Sequence, residues 1–147
     1  MKSACVENQA VGDTRTRGRL LIVHASANER SRIRQALDGA NCDVMEASDG
    51  TQAFMMVLSC EIDLAITDLA MQPGTGLDFI SALSILPTHA VRPEVIVWSD
   101  LVGSSEADRD LQHVRVAARL APAAGIDRLL AAVDAVLDDP LDFVLNR

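Results

Sequence analysis

From residue 19 onward the chain alternates between short unbroken apolar runs and longer stretches whose apolar residues recur at helical spacing. Leu20-Leu21-Ile22-Val23 is such a run, as a strand buried on both faces requires. Residues 27–38 carry Ile33, Ala36 and Leu37 at helical spacing, with Arg30, Arg32 and Arg34 expected toward solvent. Gly39-Ala40-Asn41 should end this helix, because Gly and Asn tolerate a left-handed C-terminal cap. A second strand is read over 42–47 and an apolar helix over 53–60, entered through the turn Ser48-Asp49-Gly50. The third strand, 62–67, ends on Asp68, and a helix over 75–86 runs through Leu77, Ile80 and Leu83 until Pro87 stops it. A fourth strand at 95–98 ends on Ser99-Asp100, followed by a polar helix over 104–112 and a fifth strand over 114–120. Ile126, Leu129, Leu130, Val133 and Leu137 line one face of a last helix over 126–138.

Five strand–helix units in series predict an α/β fold: a doubly wound five-stranded parallel sheet with helices on both faces, of flavodoxin-like shape. Ligand sites in such sheets form at the carboxyl ends of the strands, where the strand order reverses. The residues to watch are therefore His24-Ala25, Asp68, Ser99-Asp100 and Ala121-Pro122. At 147 residues one domain is expected, over 19–139, between a polar leader (1–18) and a short tail (140–147) that holds Leu141, Phe143, Val144 and Leu145. Neither flank is large enough for a DNA-binding or catalytic output domain.

Charge narrows the partners. The chain has 13 Lys+Arg against 21 Asp+Glu, a formal net charge of −8, which argues against direct nucleic-acid binding. Lys2 is the only lysine. No apolar run is long enough to span a bilayer, and the N-terminus lacks a signal-peptide core, so no membrane association and a cytoplasmic location are expected. Cys5, Cys42 and Cys60 are odd in number and form no metal-ligand spacing, which reads as free thiols in a reducing compartment.

Four segments, LLIVHASANERSRIRQAL, DLAITDLAMQPGTGLD, VIVWSD and LAPAAGIDRLL, with DGTQAF between the first two, resemble the response-regulator receiver domain of two-component signalling, as a degenerate member. The third-strand segment is the most specific, with an apolar run, Asp68, and then Met71, Pro73 and Gly76 in the following loop. The resemblance implies that an aspartate after the third strand accepts a phosphoryl group. It also implies an acidic pair after the first strand that helps hold Mg²⁺, and a lysine after the fifth that grips a phosphoryl oxygen. A Ser or Thr after the fourth strand and an aromatic on the fifth would act as the switch. Asp68 stands at the phosphoacceptor position, where it would also be a metal ligand, and Ser99 at the switch hydroxyl. His24 and Ala25 stand at the acidic-pair positions, Ala121 at the lysine position and Ala118 at the aromatic.

Mg²⁺ wants oxygen ligands, so replacing two carboxylates by an imidazole and a methyl weakens its site, and the cofactor expectation is none or weakly bound Mg²⁺. Phosphoryl transfer depends on charge neutralisation, and the missing lysine removes a second source of it. Asp100 and Arg119 are the candidates for compensation, and a softer transition ion between His24 and Asp68 is a further option. Each residue also has a plain structural role open to it: a solvated strand-end carboxylate for Asp68, a satisfied polar group for His24, a turn hydroxyl for Ser99.

The expectation is a stand-alone atypical receiver, not an enzyme, acting through protein–protein contacts with phosphorylation weak or absent. Its partner would be a histidine kinase, a phosphotransfer protein or a downstream target. The alternative is a working single-domain response regulator phosphorylated at Asp68. A homodimer through Val114, Val116 and Leu120 is left open. A flavodoxin-like cofactor protein is disfavoured because His24-Ala25-Ser26-Ala27-Asn28 holds no glycine to cradle phosphate, and no nucleophile elbow surrounds Ser99.

Overall fold

The computed structural model describes residues 16–87 and 89–138. Its elements are β1 (Arg19–Val23), α1 (Ala27–Ala36), β2 (Asp43–Ala47), α2 (Gly50–Ser59), β3 (Leu64–Thr67), α3 (Gly76–Ser84), β4 (Glu94–Trp98), α4 (Ser105–Leu111), β5 (Ala118–Leu120) and α5 (Ile126–Asp138), with a 3₁₀ turn at Pro122–Ala124 before α5. All strand pairs are parallel, and the spatial order is β2-β1-β3-β4-β5. The order reverses at β1, which lies between β2 and β3, so the crevice outside β1 and β3 is where this topology places a site.

Strand alternation divides the core in two. Leu20, Ile22, Leu64, Ile66, Ile96 and Trp98 face Ile33 and Leu37 of the α1 segment and Leu129 and Val133 of α5. Leu21, Val23, Ala65, Val95 and Val97 face Ala53 and Val57 of α2, Phe79, Ile80 and Leu83 of α3, and Ala107 and Leu111 of α4. β1, β3 and β4 are apolar on both faces because both are covered.

Local chemistry sets the helix starts. Ser26, Asp49, Thr75 and Ser104 cap α1, α2, α3 and α4, each side chain accepting a backbone N–H three residues on. At α3 Asp78 returns a bond to the Thr75 N–H, completing a capping box. Gly39 and Asn41 both take positive φ after α1, as the cap pattern predicts.

Several expectations need correction. The fifth strand is confined to Ala118–Leu120; Val114 and Val116 lie before it, half-buried against the α2–α4 side. The second helix begins three residues earlier than its apolar run, because Asp49 caps it at Gly50. Arg30 and Arg34 do not simply face solvent: both pair with Glu46 of β2, at 3.0 and 2.6 Å. Cys42 is a free thiol that burial pushes up in pKa, but Cys60 is disulfide-bonded, against the reading of free thiols throughout. Of the leader, residues 1–15 lie outside the described residues, whereas Arg17 N–H bonds the Asn41 carbonyl and the Gly18 carbonyl accepts from Asp43 N–H. The tail at 140–147 also lies outside them.

Candidate functional site

The registers bring three sequence-predicted residues to one edge. Val23 is level with Thr67 and Thr67 with Val97, so His24, Asp68 and Ser99 follow directly on β1, β3 and β4. Asp68 is fixed along its backbone: its N–H bonds the Val23 carbonyl at 3.0 Å and its carbonyl accepts from Thr67 Oγ1 at 2.8 Å. Its Oδ1 accepts the Leu69 N–H at 2.8 Å, and its Oδ2 lies 3.5 Å from His24 Nε2. Both side chains are mostly buried, with 14% of Asp68 and 19% of His24 exposed.

His24 is held at both ends. Its backbone N–H bonds the Ala47 carbonyl, and its carbonyl accepts from Arg30 at 2.6 Å, a guanidinium that also reaches the Ala25 carbonyl. Its ring Nδ1 accepts the Ser26 N–H at 3.0 Å. A neutral imidazole has one acceptor nitrogen and one N–H; with Nδ1 accepting, the proton sits on Nε2, the nitrogen nearest Asp68.

The other predicted positions are arranged differently. Ser99 is buried, and its hydroxyl oxygen accepts the Leu101 N–H at 3.2 Å, which makes it a turn residue opening the β4–α4 loop. Ala25 and Asp100 are exposed. Among the described residues no three His, Cys, Asp or Glu side chains come together to hold a metal, so Asp100 does not join His24 and Asp68. Arg119 points away from the crevice: it shares the side of Val97 and donates to the Leu111 carbonyl at the end of α4, at 3.3 Å. Ala121 caps the 3₁₀ turn through its carbonyl and brings no charge. Ala118 packs with the α1–α5 cluster.

Two supports escaped the sequence reading. Arg30 ties the loop that carries His24 to Glu46, and Glu46 is shared with Arg34; the spacing of Arg30 and Arg34 by four was the available signal. Burial would raise the Glu46 carboxyl, but the Arg34 and Arg30 guanidiniums together hold it below its ordinary value. Beside the site, a groove of about 380 Å³ between the β3–α3 loop and α4 is lined by Leu69, Leu101, Leu111, Glu106 and Asp110 among others, and by no cationic side chain among the described residues.

A doubly wound parallel sheet of five strands, with Asp68 at the carboxyl end of the third, defines the class as a flavodoxin-like α/β module. The model of the response regulator receiver domain matches residues 20–120, and the chain belongs to that family. It is similar to a response regulator receiver protein from Pseudomonas putida, at 28% identity and a TM-score of 0.72, over 83% of this chain and 99% of that one. It also has the fold of the chemotaxis response regulator CheY4 of Vibrio cholerae (22% identity, TM-score 0.70, 82% of this chain and 98% of that one). The signal receiver domain of a putative Luxo repressor protein from Vibrio parahaemolyticus has it as well (20% identity, TM-score 0.75, 88% and 98%). No curated protein matches the chain.

The family implies a divalent cation beside the acceptor aspartate, and these residues do not fit it. Mg²⁺ takes a near-octahedral set of oxygens, whereas this edge offers one carboxylate, one of whose oxygens is already bonded, and an imidazole whose facing nitrogen carries a proton.

Proposed function

We propose that the chain is an atypical receiver that works by protein–protein interaction in phosphorelay signalling, with phosphorylation of Asp68 weak or absent. The observation that carries this reading is the pairing at the crevice. Asp68 meets an imidazole where a cation-holding carboxylate would stand, and the position of the gripping lysine is Ala121. An incoming phosphoryl dianion would approach a carboxylate with neither metal nor ammonium to offset the charge, which removes the main source of transition-state stabilisation in phosphoryl transfer. The adjoining groove, acidic at Glu106 and Asp110, adds repulsion.

The partner is a protein: a histidine kinase, a phosphotransfer protein or a downstream target. The net charge of −8 argues against nucleic acid. No helix among the described residues is long and apolar enough to cross a membrane, in keeping with work in the cytoplasm. The chain carries no catalytic role beyond its own acceptor site, and Mg²⁺ binds weakly or not at all.

Incubation with acetyl phosphate and Mg²⁺, read by intact mass, is expected to leave the protein unchanged. A stoichiometric gain of one phosphoryl group, abolished by Asp68→Asn, would defeat the proposal. Retention of Asp68 at the end of β3 favours one alternative, a working response regulator that only its cognate kinase phosphorylates; phosphotransfer from that kinase under the same mass readout would establish it.

A further inference from the structure

We infer that His24 replaces the cation at Asp68: its Nε2–H is a fixed positive edge set against the carboxylate, and it closes the crevice to divalent metal. This deepens the reading of a degenerate receiver and rests on it.

Three contacts carry the inference. The Ser26 N–H on Nδ1 selects the tautomer, so the nitrogen 3.5 Å from Asp68 Oδ2 is a donor with no lone pair for a metal. Ser26 is itself immobilised as the cap of α1, its hydroxyl accepting the Glu29 N–H at 3.2 Å, so the selecting N–H is built into the start of a helix. Arg30 then holds the carbonyls of His24 and Ala25, which fixes the backbone from which the ring projects. With Leu69 N–H on Oδ1, each carboxylate oxygen faces an N–H of the protein.

A metal at this edge would need His24 to release the Ser26 N–H and shift its proton to Nδ1, or to leave the crevice. His24 is thus a positioning residue for Asp68, acting by a close electrostatic contact of its N–H edge where the family uses coordination. His24→Asp gives a carboxylate and removes the donor together, so it should convert the edge from metal-excluding to metal-binding. His24→Gln keeps an N–H donor without adding an anion and should stay metal-excluding.

The test uses the full chain and two readouts. ¹⁵N spectra of the histidine rings should show the His24 proton on Nε2, and Asp68→Asn should move that nitrogen's signal. Titration with Mg²⁺ alone, followed by the fluorescence of Trp98, which lies level with Asp68 beyond the Thr67–Val97 pair, should show at least tenfold tighter binding for His24→Asp than for the native chain or His24→Gln. A proton on Nδ1, or native Mg²⁺ binding as tight as that of His24→Asp, would overturn the inference. The two readings fail separately: phosphorylation of Asp68 in a chain that still excludes Mg²⁺ and keeps the Nε2 proton sinks the proposed function and leaves the role of His24 standing.

Discussion

A Cβ built on Gly76 would lie 1.9 Å from the Asp68 carbonyl oxygen, so the start of α3 can pass the end of β3 only as glycine. Gly50 meets the same loop, with the Thr75 carbonyl oxygen 2.4 Å from its would-be Cβ. Gly76→Ala is expected to cost about 3 kcal/mol or more, measured by urea denaturation, because backbone on both sides must shift. Thr75→Ala should cost about 1 kcal/mol in the same assay, by breaking one half of the capping box. The Glu46 carboxyl gives a pH signature. Its pKa is lowered in the fold from an ordinary 4.5, so the stability it adds is present above about pH 4.5 and lost as pH falls through the lower folded value. Glu46→Gln should therefore be less stable than the native chain by about 1 kcal/mol at pH 7, and the gap should close on acidification; an unchanging gap would refute the ion-pair account.

Among the elements, α1 does two jobs. Ile33 is its one buried residue and anchors it to the sheet, while Arg30 and Arg34 on the flank tie it to β2 and to the loop bearing His24. The helix is polar on average, so its attachment depends on Ile33, on Leu37 at its C-terminal cap and on the Glu46 clamp. Ile33→Ala should cost about 2–5 kcal/mol, through lost burial and the cavity left behind. β5 stands at the other extreme: three residues, none fully buried, at the edge of the sheet. Hydrogen exchange should be slowest in β1 and β3, which are paired on both sides, and markedly faster in β5 and the seven-residue α4. Equal protection across the sheet would show that the β5 edge is covered by something else.

For the molecule as a whole, Arg17 closes the chain onto itself. It precedes β1, yet its guanidinium donates to the Ala40 carbonyl and pairs with Asp134 and Asp138 at the end of α5. Both carboxylates are more than half exposed, so Arg17→Gln should cost under about 1 kcal/mol and the loss should shrink at high salt.

Apolar periodicity determined the element order, the parallel sheet, and the placing of His24, Asp68 and Ser99 after three successive central strands, because burial on both faces leaves a pattern that needs no knowledge of neighbours. Composition likewise determined that no lysine beyond Lys2 exists to serve the crevice. Tertiary structure decided what lies between elements. It turned Arg119 to the Leu111 carbonyl, a matter of strand parity that half-exposed Ala118 and Leu120 left open, and it shortened the fifth strand to the part that β4 can pair. It also decided the proton of His24, since a ring's tautomer is set by the N–H it meets in space, here that of Ser26.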